Sequence, residues 1–298
     1  MLLPEFFLPS RPSVGITFRQ PNIRDAMRFN KIPEQEEERQ TTAYLNSLQE
    51  PAGQSDARRW TAQDRRTALW WIYTGSHDTP VETFTYKCRN CNEDHYHDCD
   101  MNDLAGEINV LEREPVIEDV TINADGKPHQ WRLMPLDGWA MEMLEMRRCS
   151  LPDETDPSYA DALIDLRLWE FVYQCELYYD VEGSRDEQAD RRFDIVSSMA
   201  IDTEFMVLAS KVRMMQEELE HGLPCNIDKG VTLLHLPPHF CTAPLKDKEA
   251  TVGYSTRLWV PFRSVYFIPQ MGLERLSQLS LQPGFVWGYS SGRCGRTD

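Results

Sequence analysis

The chain is poor in basic charge and has no long hydrophobic run. Its 298 residues contain 31 lysines and arginines against 48 aspartates and glutamates, which gives a net charge of -17 and a pI near 4.9. Because affinity for a phosphate backbone depends on basic side chains that displace counterions, this balance argues against nucleic acid as a partner. No stretch of about 18 apolar residues occurs, so the sequence predicts no membrane span.

Several common signatures of enzymes and of exported proteins are also missing. The sequence has no glycine-rich phosphate loop and no His-Glu-x-x-His motif. Gly288 to Gly292 match the G-x-S-x-G elbow of esterases, but no histidine follows that could act as the general base for the serine. The apolar first nine residues lack a basic lead and a small-residue cleavage site, so we expect no signal peptide. None of these patterns therefore points to an enzyme.

The most informative stretch runs from Cys88 to Cys99 and reads Cys-Arg-Asn-Cys-Asn-Glu-Asp-His-Tyr-His-Asp-Cys. The spacing of Cys88-x-x-Cys91 is that of a tight turn that aims two thiolates at one tetrahedral zinc ion. His95, His97 and Cys99 then offer more ligands than the two remaining positions need. The sequence therefore predicts a zinc-binding knuckle.

Two ligand sets fit this spacing. One uses Cys88, Cys91, His95 and Cys99, and the other replaces His95 with His97. In both sets protein atoms fill all four positions, so we expect a structural zinc ion with no open position for a reactive water. The alternative is a hairpin without metal, whose cysteines and histidines are ordinary side chains.

A second group of ligand types lies in the C-terminal region. His235, His239 and Cys241 lie in one stretch of seven residues, and the prolines of this stretch indicate a loop. They could complete the first site or form a second one, and a metal-dependent hydrolase would use them as its own centre. The sequence assigns no role to Cys225.

The order of elements predicts an α+β fold: a small antiparallel sheet with a zinc-knuckle-like hairpin, a helical body and an extended N-terminal arm. Residues 1–56 form the arm in this interpretation, and residues 57–135 a helix and a small β module with the knuckle. A helical body follows over residues 136–222, in which one helix is expected from Asp156 to about Tyr179 and a later helical pattern is expected to break near Asp202. Residues 223–298 are predicted to be an irregular C-terminal region with short strands.

Local signals support these elements. Asn22 and Thr61 are typical helix N-caps. Residues 81–87 alternate apolar and polar side chains like a strand, and Asp125-Gly126 is a hairpin turn signal, so residues 81–135 are predicted to form one sheet. The apolar side chains of the arm need burial, either on the chain's own body or on a neighbouring subunit.

The pattern resembles the baseplate-hub and tail-assembly proteins of contractile-tailed bacteriophages, of the T-even hub-assembly type. In that family a Leu-Pro-Ser segment, a strand entering a Cys-x-x-Cys knuckle with a nearby His, a short two-stranded stretch and a helical body follow in order. The matching residues here are 8–10, 86–91, His95, 100–104, 125–126 and 132–137. The resemblance covers residues 1–150. It departs at Asn92, where the family usually has glycine, and in the C-terminal region.

The resemblance implies a non-enzymatic structural or assembly component of a viral tail or baseplate. Such a protein docks on other tail proteins or on further copies of itself, through its arm and its aromatic-rich helical body. Its location is then the virion tail, or the host cytoplasm during assembly. The alternative that the residues themselves support is a zinc-knuckle adaptor or regulatory protein that binds a protein partner.

Overall fold

The computed structural model confirms an α+β fold. The structure describes residues 1–88, 90–124, 126–228, 231–243 and 255–269. Within these ranges, no helix combines the length and the apolar character that a membrane crossing requires. The α-helices are α1 (Ile23–Arg28), α2 (Glu37–Leu48), α3 (Ala62–Ser76), α4 (Gly138–Cys149), α5 (Tyr159–Val172), α6 (Arg185–Ser198) and α7 (Met206–Glu218).

The strands form small antiparallel sheets. Two-stranded sheets are β1–β2, β3–β4 and β10–β11, and three-stranded sheets have the orders β5–β6–β7 and β12–β9–β8. The bounds are β1 (Phe6–Leu8), β2 (Arg11–Ile16), β3 (Val81–Lys87), β4 (Asp94–Asp100), β5 (Ile117–Ala124), β6 (Lys127–Leu133), β7 (Cys175–Leu177), β8 (Cys225–Asp228), β9 (Val231–His235), β10 (His239–Phe240), β11 (Ser255–Thr256) and β12 (Trp259–Pro261).

Two hydrophobic cores divide the fold. The first combines residues from the N-terminal third, such as Phe18 and Leu69, with residues near the C-terminal end, such as Leu234 and Ile268. The second lies between residues 111 and 219 and contains α4–α7 with the sheet β5–β6–β7. The helical body is therefore inserted in sequence between two parts of the first core.

The N-terminal arm is part of the first core. Strand β1 pairs with β2, and the side chains of Phe6, Leu8 and Phe18 are buried. The sequence left open whether this segment packs on its own body or on a neighbour, and the structure shows that it packs on its own body. Helix α1 begins at Asn22, whose side chain forms a capping box with Asp25.

The prediction that residues 81–135 form one sheet is wrong. Among the described residues, strands β3 and β4 pair only with each other, whereas β6 pairs with both β5 and β7. Trp131 of β6 lies opposite Leu177 of β7, and its side chain is fully buried in the second core. The second hairpin therefore belongs to the helical body, because its large apolar side chains pack there. Asp125 of the predicted turn lies outside the described residues, and Gly126 has a φ of 70°.

The helical body follows the sequence pattern with one difference. The helix expected from Asp156 to about Tyr179 ends at Val172, and the chain then forms β7, which completes the sheet. The break expected near Asp202 is present as a π-helical turn over Ile201–Phe205, between α6 and α7. Tertiary pairing with β6 thus overrides helical propensity after residue 172.

Glu145 of α4 caps the N-terminus of α2. Its Oε1 accepts a hydrogen bond from the backbone N–H of Glu38 at 2.8 Å, and Oε2 accepts one from Arg39 at 3.4 Å. We expect Glu145→Ala to lower the free energy of unfolding by about 1–2 kcal/mol, because two N–H groups lose their acceptor at the positive end of a helix dipole. Glu145→Gln should cost less. Urea denaturation measures both, and an unchanged alanine variant would contradict the capping role.

A buried polar network joins the start of α3 to the end of the helical body. Asp64 accepts hydrogen bonds from the backbone and hydroxyl of Ser10 and from the backbone of Thr61. The Nδ1 atom of His221 lies 2.6 Å from the carbonyl oxygen of Leu219, and Nε2 lies 2.7 Å from the hydroxyl of Thr61. Nδ1 must therefore carry the proton and Nε2 must accept one from the hydroxyl.

This network predicts a loss of stability in acid. Burial lowers the pKa of His221 below its ordinary value of 6.5. In the unfolded chain His221 gains a proton as the pH falls through about 6.5, whereas in the folded chain it stays neutral to a lower pH. Because the unfolded state then binds more protons, the free energy of unfolding should decrease below about pH 6.5. We expect His221→Gln to be less stable at pH 8 but to show a weaker pH dependence between 7 and 5.5. Urea titrations with a chelator in all samples test this, and an identical pH dependence would refute it.

Candidate metal centre

The tip of the β3–β4 hairpin places two cysteines and a histidine together. The backbone N–H of Cys88 donates to the carbonyl oxygen of Glu93, and that of Asn92 donates to the carbonyl oxygen of Cys88, both at 2.9 Å. Asn92 has a φ of 65°, a left-handed conformation that asparagine tolerates better than most residues. The tight turn aims Cys88 and Cys91 at the same point as His95 on the returning strand.

The fourth member of the group comes from the C-terminal region. Strand β10 lies against the inner face of β4, where His239 contacts both His95 and His97. Cys241 follows this strand. The ligand atoms of Cys88, Cys91, His95 and Cys241 all lie within 4.8 Å of one another. The group therefore joins two parts of the chain that are 146 to 153 residues apart in sequence.

The geometry fits a metal ion with four protein ligands. Nε2 of His95 lies 3.1 Å from Sγ of Cys91 and 4.0 Å from Sγ of Cys241. Bond lengths of about 2.3 Å to sulfur and about 2.0–2.1 Å to imidazole nitrogen place tetrahedral donors about 3.5–3.8 Å apart. The two distances from Nε2 of His95, 3.1 and 4.0 Å, lie on either side of this range. Three sulfurs and one nitrogen are a donor set typical of structural zinc sites.

Neighbouring side chains orient the ligands. Nδ2 of Asn90 donates to Sγ of Cys241 at 3.3 Å, and this hydrogen bond lowers the pKa of that thiol. The thiolate, which is the form that binds a metal, is thereby favoured. The hydroxyl of Tyr86 lies 3.4 Å from Nδ1 of His95 and 3.0 Å from Nδ1 of His239. Since the other nitrogen of His95 faces the sulfurs, Tyr86 fixes the orientation of this ring.

Two predicted ligands lie outside the group. Cys99 lies four residues after His95 on β4, and a rise of about 3.3 Å per residue places it about 13 Å away along the strand. The thiol of Cys99 is buried in the first core, and burial raises its pKa to about 11. His97 stacks on His239 instead, with ring centroids 4.6 Å apart and planes within 6°. The structure thus corrects the predicted ligand set by replacing His97 and Cys99 with Cys241.

The second group of candidate ligands divides among different roles. Cys241 completes the first centre, which is one of the two possibilities that the sequence allowed. His239 supports the centre through Tyr86. His235 stacks on Trp259 of the neighbouring strand, with centroids 4.7 Å apart. Cys225 takes no part in the group; burial raises the pKa of its thiol to about 11. No second metal group is found among the described residues.

The sequence contained a signal for Cys241, namely a cysteine close to two histidines in a loop. It could not show that this loop returns to the knuckle, because the contact depends on tertiary packing of β10 against β4. The motif Gly288 to Gly292 lies outside the described residues.

No family model matches the chain, and no curated protein or solved structure matches it either.

Proposed function

We propose that this chain is a non-enzymatic structural or assembly component of a bacteriophage tail or baseplate. In this proposal the centre holds a structural zinc ion through Cys88, Cys91, His95 and Cys241. The zinc fastens the β3–β4 hairpin to β10, and the stiffened surface docks on neighbouring tail subunits or on further copies of the chain.

The observation that carries the proposal is the composition of the metal centre. Its four donor atoms, three sulfurs and one imidazole nitrogen, come from the protein and lie within 4.8 Å of one another. A zinc ion held by all four has no open position for a water or a substrate, which is the difference between structural and catalytic zinc sites. The centre is therefore suited to holding the chain in one conformation.

The exposed apolar side chains support a docking role. The arm buries Phe6, Phe18 and Phe29 in the chain's own core, whereas Phe7 remains half exposed. Large apolar side chains are exposed on the helical body and on the C-terminal sheets, and such residues are typical anchors of protein interfaces. They include Ile164, Tyr178, Tyr179, Val181, Val207, Met214, Phe240 and Trp259.

The resemblance to the tail-assembly family gives the proposal its biological setting. The main departure within the knuckle is Asn92, where that family usually has glycine. The φ of 65° at Asn92 lies in the region where glycine is unstrained and asparagine is the usual substitute. The same turn is therefore compatible with either residue.

Fractionation of tails tests the proposal. Lysates that contain assembling phage particles should be separated on a density gradient, and antibodies against the chain used to locate it. We expect the chain in purified tails or baseplates, or in tail intermediates. Its absence from all of these fractions, together with a free pool of the expected monomer size, would contradict the proposal.

A second candidate is an adaptor or regulatory protein that uses the same zinc centre to bind a protein partner. The closed donor set supports this role equally well. The two candidates differ in the partner: an adaptor should be recovered from the gradient in a stable complex that contains no tail protein.

A further inference from the structure

In the described part of the chain, the outer edges of the β3–β4 hairpin are unpaired. Among the described residues these two strands hydrogen-bond only to each other, from Val81↔Asp100 to Lys87↔Asp94. Isolated two-stranded hairpins are marginal in water, and a free edge presents N–H and C=O groups that can pair with another strand. Among these residues none occupies the edge of β4, which leaves room there for one more strand.

The inner face of the hairpin is fixed against the body. His97 stacks on His239, Cys99 lies in the first core, and His95 points into the metal centre. These contacts hold β4 in one orientation and one register. A strand that adds to it therefore meets a rigid template, which lowers the entropic cost of binding.

The outer face of β4 carries a row of carboxylates. Asp94, Asp98 and Asp100 alternate with inward-facing residues, and Tyr96 stands between the first two with 71% of its surface exposed. Asp98 accepts a hydrogen bond from Thr83, and Asp100 accepts one from the backbone of Asn102. Lys87 lies directly opposite Asp94 in the register, but within the described part of the chain no lysine or arginine forms an ion pair with any of the three.

This charge pattern selects the partner. If two β4 edges paired with each other, carboxylates would face carboxylates about 5 Å apart, which disfavours a second copy of this strand. The outer face of β3 carries Thr83, Thr85 and Lys87 and offers no such row. A lysine or arginine at alternate positions of an added strand would meet Asp94 and Asp98, with Tyr96 as an apolar anchor between them.

We propose that the free edge of β4 binds an extended basic segment of a neighbouring subunit, with lysine or arginine at alternate positions, as a third strand. This inference deepens the proposed function by naming the chemistry of the partner, and it rests on that function only for the partner's identity. Backbone pairing supplies affinity, and the carboxylate row supplies register and selectivity.

Binding of model peptides to the full-length, zinc-loaded chain tests the inference. The probe is a fluorescein-labelled seven-residue peptide in which lysine alternates with threonine or valine. The comparison peptide has the same sequence, with alternate backbone amides methylated so that charge is kept and strand pairing is lost. We expect saturable binding of the first peptide by fluorescence anisotropy and at least tenfold weaker binding of the second.

Matched variants separate the edge from general electrostatics. Asp94→Asn with Asp98→Asn should weaken binding at least threefold. Asp165→Asn with Asp194→Asn changes the net charge equally on exposed positions of the helical body and should change the affinity less than 1.5-fold. Metal content, measured for each variant, verifies that the centre is intact.

Three results would overturn the inference. They are no binding of the unmethylated peptide, equal binding of both peptides, or equal weakening by the two pairs of substitutions. The first would mean that the carboxylates only prevent self-pairing of the edge, and the other two would mean diffuse attraction to an acidic surface. None of them would alter zinc content or the presence of the chain in tails, which test the proposed function separately.

Discussion

Replacing Cys241 with serine should remove tightly bound zinc from the protein. The structure places Sγ of Cys241 within 4.8 Å of the three ligand atoms of the knuckle, so its loss leaves only Cys88, Cys91 and His95. A serine hydroxyl is a weak zinc ligand, and its oxygen would have to replace a soft thiolate. We expect zinc content to fall from about one ion per chain to below about 0.2 after dialysis, measured by elemental analysis of the purified protein.

Cys99→Ser is the matched control. Cys99 is a neighbouring cysteine that the sequence pattern favours as a ligand, but the structure buries it in the first core. This variant should keep about one zinc ion per chain, with a small loss of stability from the core substitution. Retention of zinc by Cys241→Ser together with its loss from Cys99→Ser would show that the knuckle closes on itself and that β10 is not part of the centre.

Chelation of the metal should destabilise two segments that are far apart in sequence but meet at the metal centre. Residues 81–100 and 231–243 supply the ligands or carry the strands next to them. A metal that binds only the folded state at about 1,000 times its Kd contributes about 4 kcal/mol to stability, and its removal deletes that contribution. We expect hydrogen exchange to accelerate in both segments when zinc is removed with a chelator.

The helical body provides an internal reference for the chelation experiment. Helices α4 and α5 belong to the second core and contribute no ligand, so their amides should keep their protection. Restoring zinc should restore the protection of both segments. Loss of protection at the hairpin alone, with residues 231–243 unchanged, would contradict the joining role of the centre.

Local patterns in the sequence predicted local structure well. The capping boxes at Asn22 and Thr61 begin α1 and α3, and alternation in Val81–Lys87 forms β3. These features depend on hydrogen bonds and side-chain periodicity within a few residues, which a single sequence contains. The knuckle cysteines and His95 belong to the same class, because the turn that unites them is only a few residues long.

Features that depend on tertiary contacts were not predictable in the same way. The sequence could not show that β6 would pair with β7 and so belong to the helical body, since the pairing of Trp131 with Leu177 spans 46 residues. The ligand Cys241 is a second example. Cys99 is closer in sequence, but the straight run of β4 carries it away from the turn, whereas packing of β10 brings Cys241 in.

In our proposal, three sulfurs and one nitrogen of this chain hold one zinc ion. X-ray absorption spectroscopy at the zinc edge of the purified protein tests it most directly. We predict about three sulfur neighbours at about 2.3 Å and one nitrogen neighbour at about 2.0–2.1 Å, with no change when excess salt or substrate-like anions are added. A shell dominated by oxygen and nitrogen, or a position occupied by an exchangeable water, would contradict the closed structural centre.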